Sequence, residues 1–148
     1  KALGCEGALL CGPAIVRDFI VNRGRPFIFS TAPSPLMAWL VRQALEIVAN
    51  EPERQGRLHG LIRRAETRLA ALGLPASGSQ IIPVVIGDNA RTMRIAAALQ
   101  ADGFDIRGIR PPTVPHGTAR LRIAITLNVG EREIDAMTES LSAAMAAA

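Results

Sequence analysis

Residues Gly108 to Thr126, GIRPPTVPHGTARLRIAIT, constrain this chain more than any other stretch. Pro111, Pro112 and Pro115 fix the backbone between Arg110 and His116, so Arg110 and Thr113 sit on a stiffened loop that places side chains well. Directly after it, Arg120, Arg122, Ala124 and Thr126 fall on one face of a period-2 segment, and Leu121, Ile123 and Ile125 fall on the other. That pattern predicts a strand with a buried apolar face. Its other face carries two guanidiniums beside small residues, and periodicity leaves two readings open. They form a fork for an anion, with a carboxylate the natural guest, or they are solvated charges on an outer face.

The 148 residues suffice for one domain, or for a small domain plus a piece of another. Hydrophobic residues make up 49%, but only 3% are aromatic and none is Tyr, so the core must be aliphatic. Aliphatic layers suit an α/β or α+β protein. The net charge of +4 comes from arginines, since Lys1 is the only lysine. Without clustered aromatics to stack bases, those arginines argue against a nucleic-acid partner and fit solvated helix faces. Cys5 and Cys11 match no metal or redox spacing, which points to reduced thiols and a cytoplasmic setting. No apolar run is long enough to cross a bilayer. A start at Lys1 running into Ala2, Leu3 and Gly4 suggests the C-terminal part of a longer protein.

Along the chain, Gly7 to Cys11 reads as a short buried strand closed by Gly12-Pro13, and Pro13 opens a helix to about Asn22. Pro26 to Phe29 reads as a second extended piece. Ser34 caps a helix beginning at Pro35 and running to Asn50, and Pro52 separates it from a helix that starts near Glu53 and stops at Gly73. Then follow a strand over Ile81 to Ile86, a cap at Asp88 or Asn89, a helix over Thr92 to Asp102, and a strand over Phe104 to Ile109. After the proline loop and the arginine strand comes a last helix from about Gly130 to Ala146. This order predicts a compact α+β lobe, with helices on one face of a small sheet.

Taken alone, the candidate chemical groups are ambiguous. A lysine amine beside Gly4 can form a Schiff base with an aldehyde cofactor, but surface lysines are far commoner. Ser30 and Thr31 offer two hydroxyls that suit a phosphate or a turn equally. His59 and His116 have no acid partner in register and read as surface or packing residues.

Together, however, Lys1-Ala2-Leu3-Gly4, FIFSTAP at Phe27 to Pro33, IIPVVIGDN at Ile81 to Asn89 and IRPPTVPHGTARLRIAIT at Ile109 to Thr126 resemble the α-oxoamine synthases. These are pyridoxal-phosphate (PLP) enzymes of aminotransferase fold type I, and the likeness runs in order over essentially the whole chain. It implies an α/β fold, with residues 1–55 ending the large PLP-binding domain and residues 56–148 forming the small C-terminal α+β domain.

The resemblance also implies roles. Lys1 stands at the family's Schiff-base lysine, and Ser30 and Thr31 match the pair that reaches across a homodimer to the neighbour's cofactor phosphate. Arg122 matches the arginine that binds the amino-acid carboxylate, and Arg110 is a candidate contact for the anionic end of the acyl substrate. No metal is implied. The expected activity is a PLP-dependent C-acyltransferase that condenses an amino acid with an acyl-CoA and releases carbon dioxide. The wording around the prolines favours L-alanine and a pimeloyl thioester, as in biotin formation. Sister synthases using glycine or serine, and a non-enzymatic binding lobe, are the alternatives. After Thr126 the family often has a short run ending in His, where this chain has Leu127-Asn128-Val129-Gly130.

Overall fold

The computed structural model describes residues 3–148, and the chain divides into two compact units, Lys1–Pro52 and Glu53–Ala148.

The first unit contains α1 (Ala14–Arg23), α2 (Arg25–Ile28) and α3 (Pro35–Asn50). Ser34 caps α3, its Oγ accepting the Leu36 N–H at 3.3 Å, and Pro35 occupies the first turn, where its missing donor costs nothing. Two expectations fail here. Gly7 to Cys11 forms no strand, because the described residues of this unit offer it no second strand to pair with. Pro26 to Phe29 is not extended, and most of it lies in α2. The fixed φ of Pro26 suits a helical first turn as well as an extended chain, and the Phe27 and Ile28 N–H groups both donate to Gly24 O at 2.9 Å. None of the three helices has a buried residue, and Leu9, Ile15, Phe19, Phe27 and Phe29 are all exposed.

The second unit holds the core. Its elements are α4 (Glu53–Ala70), β1 (Ile81–Gly87), α5 (Asn89–Ala101), β2 (Arg107–Ile109), β3 (Ala119–Ala124) and α6 (Glu131–Ala147). The sheet is antiparallel in the order β1-β3-β2, so β3 is central. Ile82 and Val84 of β1, Leu121 and Ile123 of β3, Ile62 and Leu69 of α4, Ile95 and Leu99 of α5, and Ile134 and Leu141 of α6 form one cluster. Three helices therefore share one face of the sheet, as the aliphatic composition requires.

Local chemistry sets the ends. Asp88 caps α5 by accepting the Arg91 N–H at 2.7 Å. At the start of α6, Gly130 has no side chain to contribute, and the cap comes from Glu133, whose carboxylate accepts the Gly130 N–H at 2.8 Å. Bonds to backbone N–H groups, its own first and then that of Gly130, hold the Glu133 carboxyl below its usual range. Pro83 lacks a backbone donor and sits on β1, an edge strand where that loss is tolerated.

The strand expected over Phe104 to Ile109 is present only as Arg107–Ile109. The Ile106 N–H turns back to Phe104 O at 2.7 Å, and Ile106 O accepts from Gln100 Nε2 at 2.8 Å, which ties this segment to the end of α5 instead of to β3. Gly108 faces α5 closely. A Cβ there would lie 2.8 Å from Met93 Sδ and 3.4 Å from Thr92 Cγ2.

Candidate functional site

The central strand alternates as its sequence requires. Ala119, Leu121 and Ile123 are buried, Arg120 is half-buried, and Arg122 and Ala124 are exposed. The ladder places Pro83 of β1 and Arg107 of β2 on either side of Arg122, and Val85 and Ile109 on either side of Arg120. One face of the sheet thus presents Arg107, Arg120 and Arg122 among Ile81, Pro83, Val85 and Ile109, opposite the face that the helices cover.

The two arginines of β3 differ in what holds them. Arg120 Nε donates to Thr118 O at 3.0 Å, which uses part of its fork on the strand's own entrance. Among the described residues, the Arg122 guanidinium makes no hydrogen bond or ion pair. A guanidinium left open on an exposed face keeps its full donor fork for a bidentate carboxylate.

Arg110 follows β2 at the start of the proline loop and is exposed. Its carbonyl accepts the Thr113 N–H at 3.1 Å, closing a turn. The far end is fastened too, since Thr118 Oγ1 donates to Pro115 O at 2.7 Å and the Thr118 N–H reaches the same oxygen at 3.2 Å. Both ends of the loop are therefore bonded within the loop itself, and Arg120 ties the exit to β3.

Ser30 and Thr31 lie in the first unit, just past the C-terminal cap of α2, and both are exposed. Neither hydroxyl makes a hydrogen bond among the described residues, so both are open to an external acceptor. Two hydroxyl donors in sequence suit phosphate oxygens. Lys1 lies outside the described residues. Cys11 is exposed and outside any disulfide. Among the described residues no group of His, Cys, Asp and Glu is placed to hold a metal ion, and no helix is long and apolar enough to cross a membrane.

Sequence reasoning missed Arg107. It shares a face with Arg122 only through the β2–β3 register, and the strand length needed to read that register was misjudged.

Comparison with known proteins gives the family and the fold. The model of the family "Aminotransferase class I and II" matches residues 1–141. The 8-amino-7-oxononanoate synthase of Anaeromyxobacter dehalogenans is 43% identical over 147 residues, covering 98% of this chain and 37% of that protein. Sphingomonas wittichii serine palmitoyltransferase superposes with a TM-score of 0.89 at 19% identity, over 99% of this chain and 38% of that one. A structure of SPT with PLP gives 0.80 at 24% identity, over 88% and 34%. Such structural likeness fixes the fold, and the chain spans about 37% of the length of the curated relative it matches.

Proposed function

The chain belongs to the class I and II aminotransferase family, and from that premise we propose that it is part of a PLP-dependent C-acyltransferase, an 8-amino-7-oxononanoate synthase. In this reading the whole protein condenses L-alanine with a pimeloyl thioester and releases carbon dioxide, coenzyme A and 8-amino-7-oxononanoate. The observation that carries it is the 43% identity to such a synthase across 98% of the chain.

The donor set fits the cofactor: open hydroxyls on Ser30 and Thr31 for its phosphate, and one lysine, Lys1, for its aldehyde. When bound, PLP supplies an electron sink that makes the alanine Cα proton removable. The residues of this chain do the rest. Arg122 holds the alanine carboxylate in its fork and so orients the Cα–H bond, and that orientation is its main contribution to rate. Lys1 carries the cofactor at rest and, as a neutral amine, takes the Cα proton at Nζ. Arg110, on the fastened proline loop, meets the acyl thioester.

The reading includes a homodimer in the cytoplasm. In that homodimer Ser30 and Thr31, whose hydroxyls are open, would serve the partner's cofactor. The exposed Cys11 thiol, outside any disulfide, fits a reducing compartment.

The full-length protein with L-alanine and pimeloyl-CoA tests the reaction, with thiol release and carbon dioxide as readouts. Equal amounts of both products are expected. Turnover with glycine or serine but not alanine would reject this member of the family, and no product with any amino acid would reject the acyltransferase.

A further inference from the structure

Arg107 stands directly opposite Arg122 in the β2–β3 ladder, and both side chains project from the exposed face of the sheet. Directly opposed residues on antiparallel strands have Cβ atoms about 4.5–5.5 Å apart, and like charges placed there are destabilising. With Arg120 on the same face, three cations are gathered where the ladder gains nothing from them. Among the described residues, the acid paired with this group is Asp105, whose Oδ1 accepts from Arg107 Nε at 2.6 Å. Both partners are largely exposed, with side chains 70% and 76% accessible, so the pair is weak and opens readily to a competing anion. A local arrangement that works against stability is expected where a ligand compensates it. Around the charges lie Ile81, Pro83, Val85 and Ile109, an apolar bed that suits a hydrocarbon chain.

We propose that Arg107 is a second anion-binding residue of this sheet face, receiving an oxyanion carried by the acyl thioester while Arg122 holds the carboxylate of the amino acid. This rests on the acyltransferase reading given above. An acyl thioester of the proposed type bears oxyanions at two places, a distal carboxylate and the phosphates of its carrier. Both have the chemistry that a guanidinium fork recognises. Asp105 is then the internal competitor that holds Arg107 until the substrate arrives.

The test measures equilibrium binding to the full-length protein, without amino acid, of pimeloyl-CoA, octanoyl-CoA and the N-acetylcysteamine thioester of pimelate. Octanoyl-CoA lacks the distal carboxylate, and the N-acetylcysteamine thioester lacks the phosphates. Arg107→Gln is expected to weaken pimeloyl-CoA binding roughly tenfold, as for the loss of one charge-assisted contact. Asp105→Asn should act in the opposite direction and tighten it, which a merely structural pair would not do. Arg107→Gln should melt at or slightly above the wild type, since it relieves the like-charge opposition, and Asp105→Asn should melt close to it, since the ion pair it breaks is exposed and weak.

If Arg107→Gln weakens the N-acetylcysteamine thioester and spares octanoyl-CoA, the oxyanion is the carboxylate; the reverse pattern assigns it to the phosphates, and either supports the proposal. Unchanged binding of all three thioesters overturns it, as does a KM for alanine that rises as much as that for the thioester. Wild-type protein that binds thioesters without turning them over would sink the reaction and leave this site standing. Normal turnover by an unaffected Arg107→Gln variant would do the opposite.

Discussion

Arg64 of α4 and Asp135 of α6, 71 positions apart, meet in a two-point ion pair: Arg64 Nε donates to Oδ1 at 3.0 Å and Nη2 donates to Oδ2. Arg64 Nη1 also reaches Glu131 Oε2 at 2.8 Å, and Arg68 Nε lies 3.2 Å from Asp135 Oδ1. The same Arg68 bonds Glu139 Oε1 through Nη2 at 3.2 Å. The hydrogen bond from Arg64 holds the Asp135 carboxyl below its usual range against some desolvation, helped by the charges of Arg64 and Arg68.

A lowered carboxyl pKa stabilises the folded state above the ordinary aspartate range and ceases to do so as the pH falls through the lowered value. Asp135→Asn should therefore melt below the wild type at pH 7. The two melting curves should converge as the pH falls well below about 4. Thermal melts across that range check this, and a constant gap between the proteins would contradict it.

Leu121 is fully buried on the central strand, at the contact of sheet and helices. Leu121→Ala should cost about 2–5 kcal/mol in urea unfolding, the range for a large core deletion with a residual cavity. Gly108→Ala should cost about 1 kcal/mol, at the low end for overpacking, because the nearest atom is the end of a flexible Met93 side chain. A neutral Gly108→Ala would show that α5 does not approach β2 as closely as described.

The cap of α5 gives a smaller and separable effect. Asp88→Ala removes the acceptor of the Arg91 N–H and should cost about 1 kcal/mol, whereas Asp88→Ser should retain most of it. Equal losses for the two substitutions would assign Asp88 a role other than capping.

The sequence was most legible where periodicity and an end signal agree. The alternation of β3, the Ser34-Pro35 start of α3 and the break at Pro52 could all be read from spacing, because each rests on local sterics. Gly7 to Cys11 was misread because an apolar run carries no information about whether a partner strand exists. Pro26 was misread because its φ suits two conformations. The shortening of β2 depends on Gln100, six residues before the carbonyl it binds, which no period reveals. At the site, the shared face of Arg120 and Arg122 was legible, but the bond from Arg120 to Thr118 O that makes them unequal was not. The place of Arg107 beside them needed the ladder itself.

The central claim is that Arg122 anchors the amino-acid carboxylate, and steady-state kinetics of Arg122→Gln in the full-length protein test it most directly. Losing one partner of a buried, hydrogen-bonded charge pair in the substrate complex should lower kcat/KM for L-alanine by about 2–4 kcal/mol, roughly 30- to 1,000-fold. Binding of the acyl thioester measured without amino acid should stay within about twofold, as for a residue that does not contact it. An unchanged kcat/KM for L-alanine, or an equal loss in thioester binding, would contradict the account.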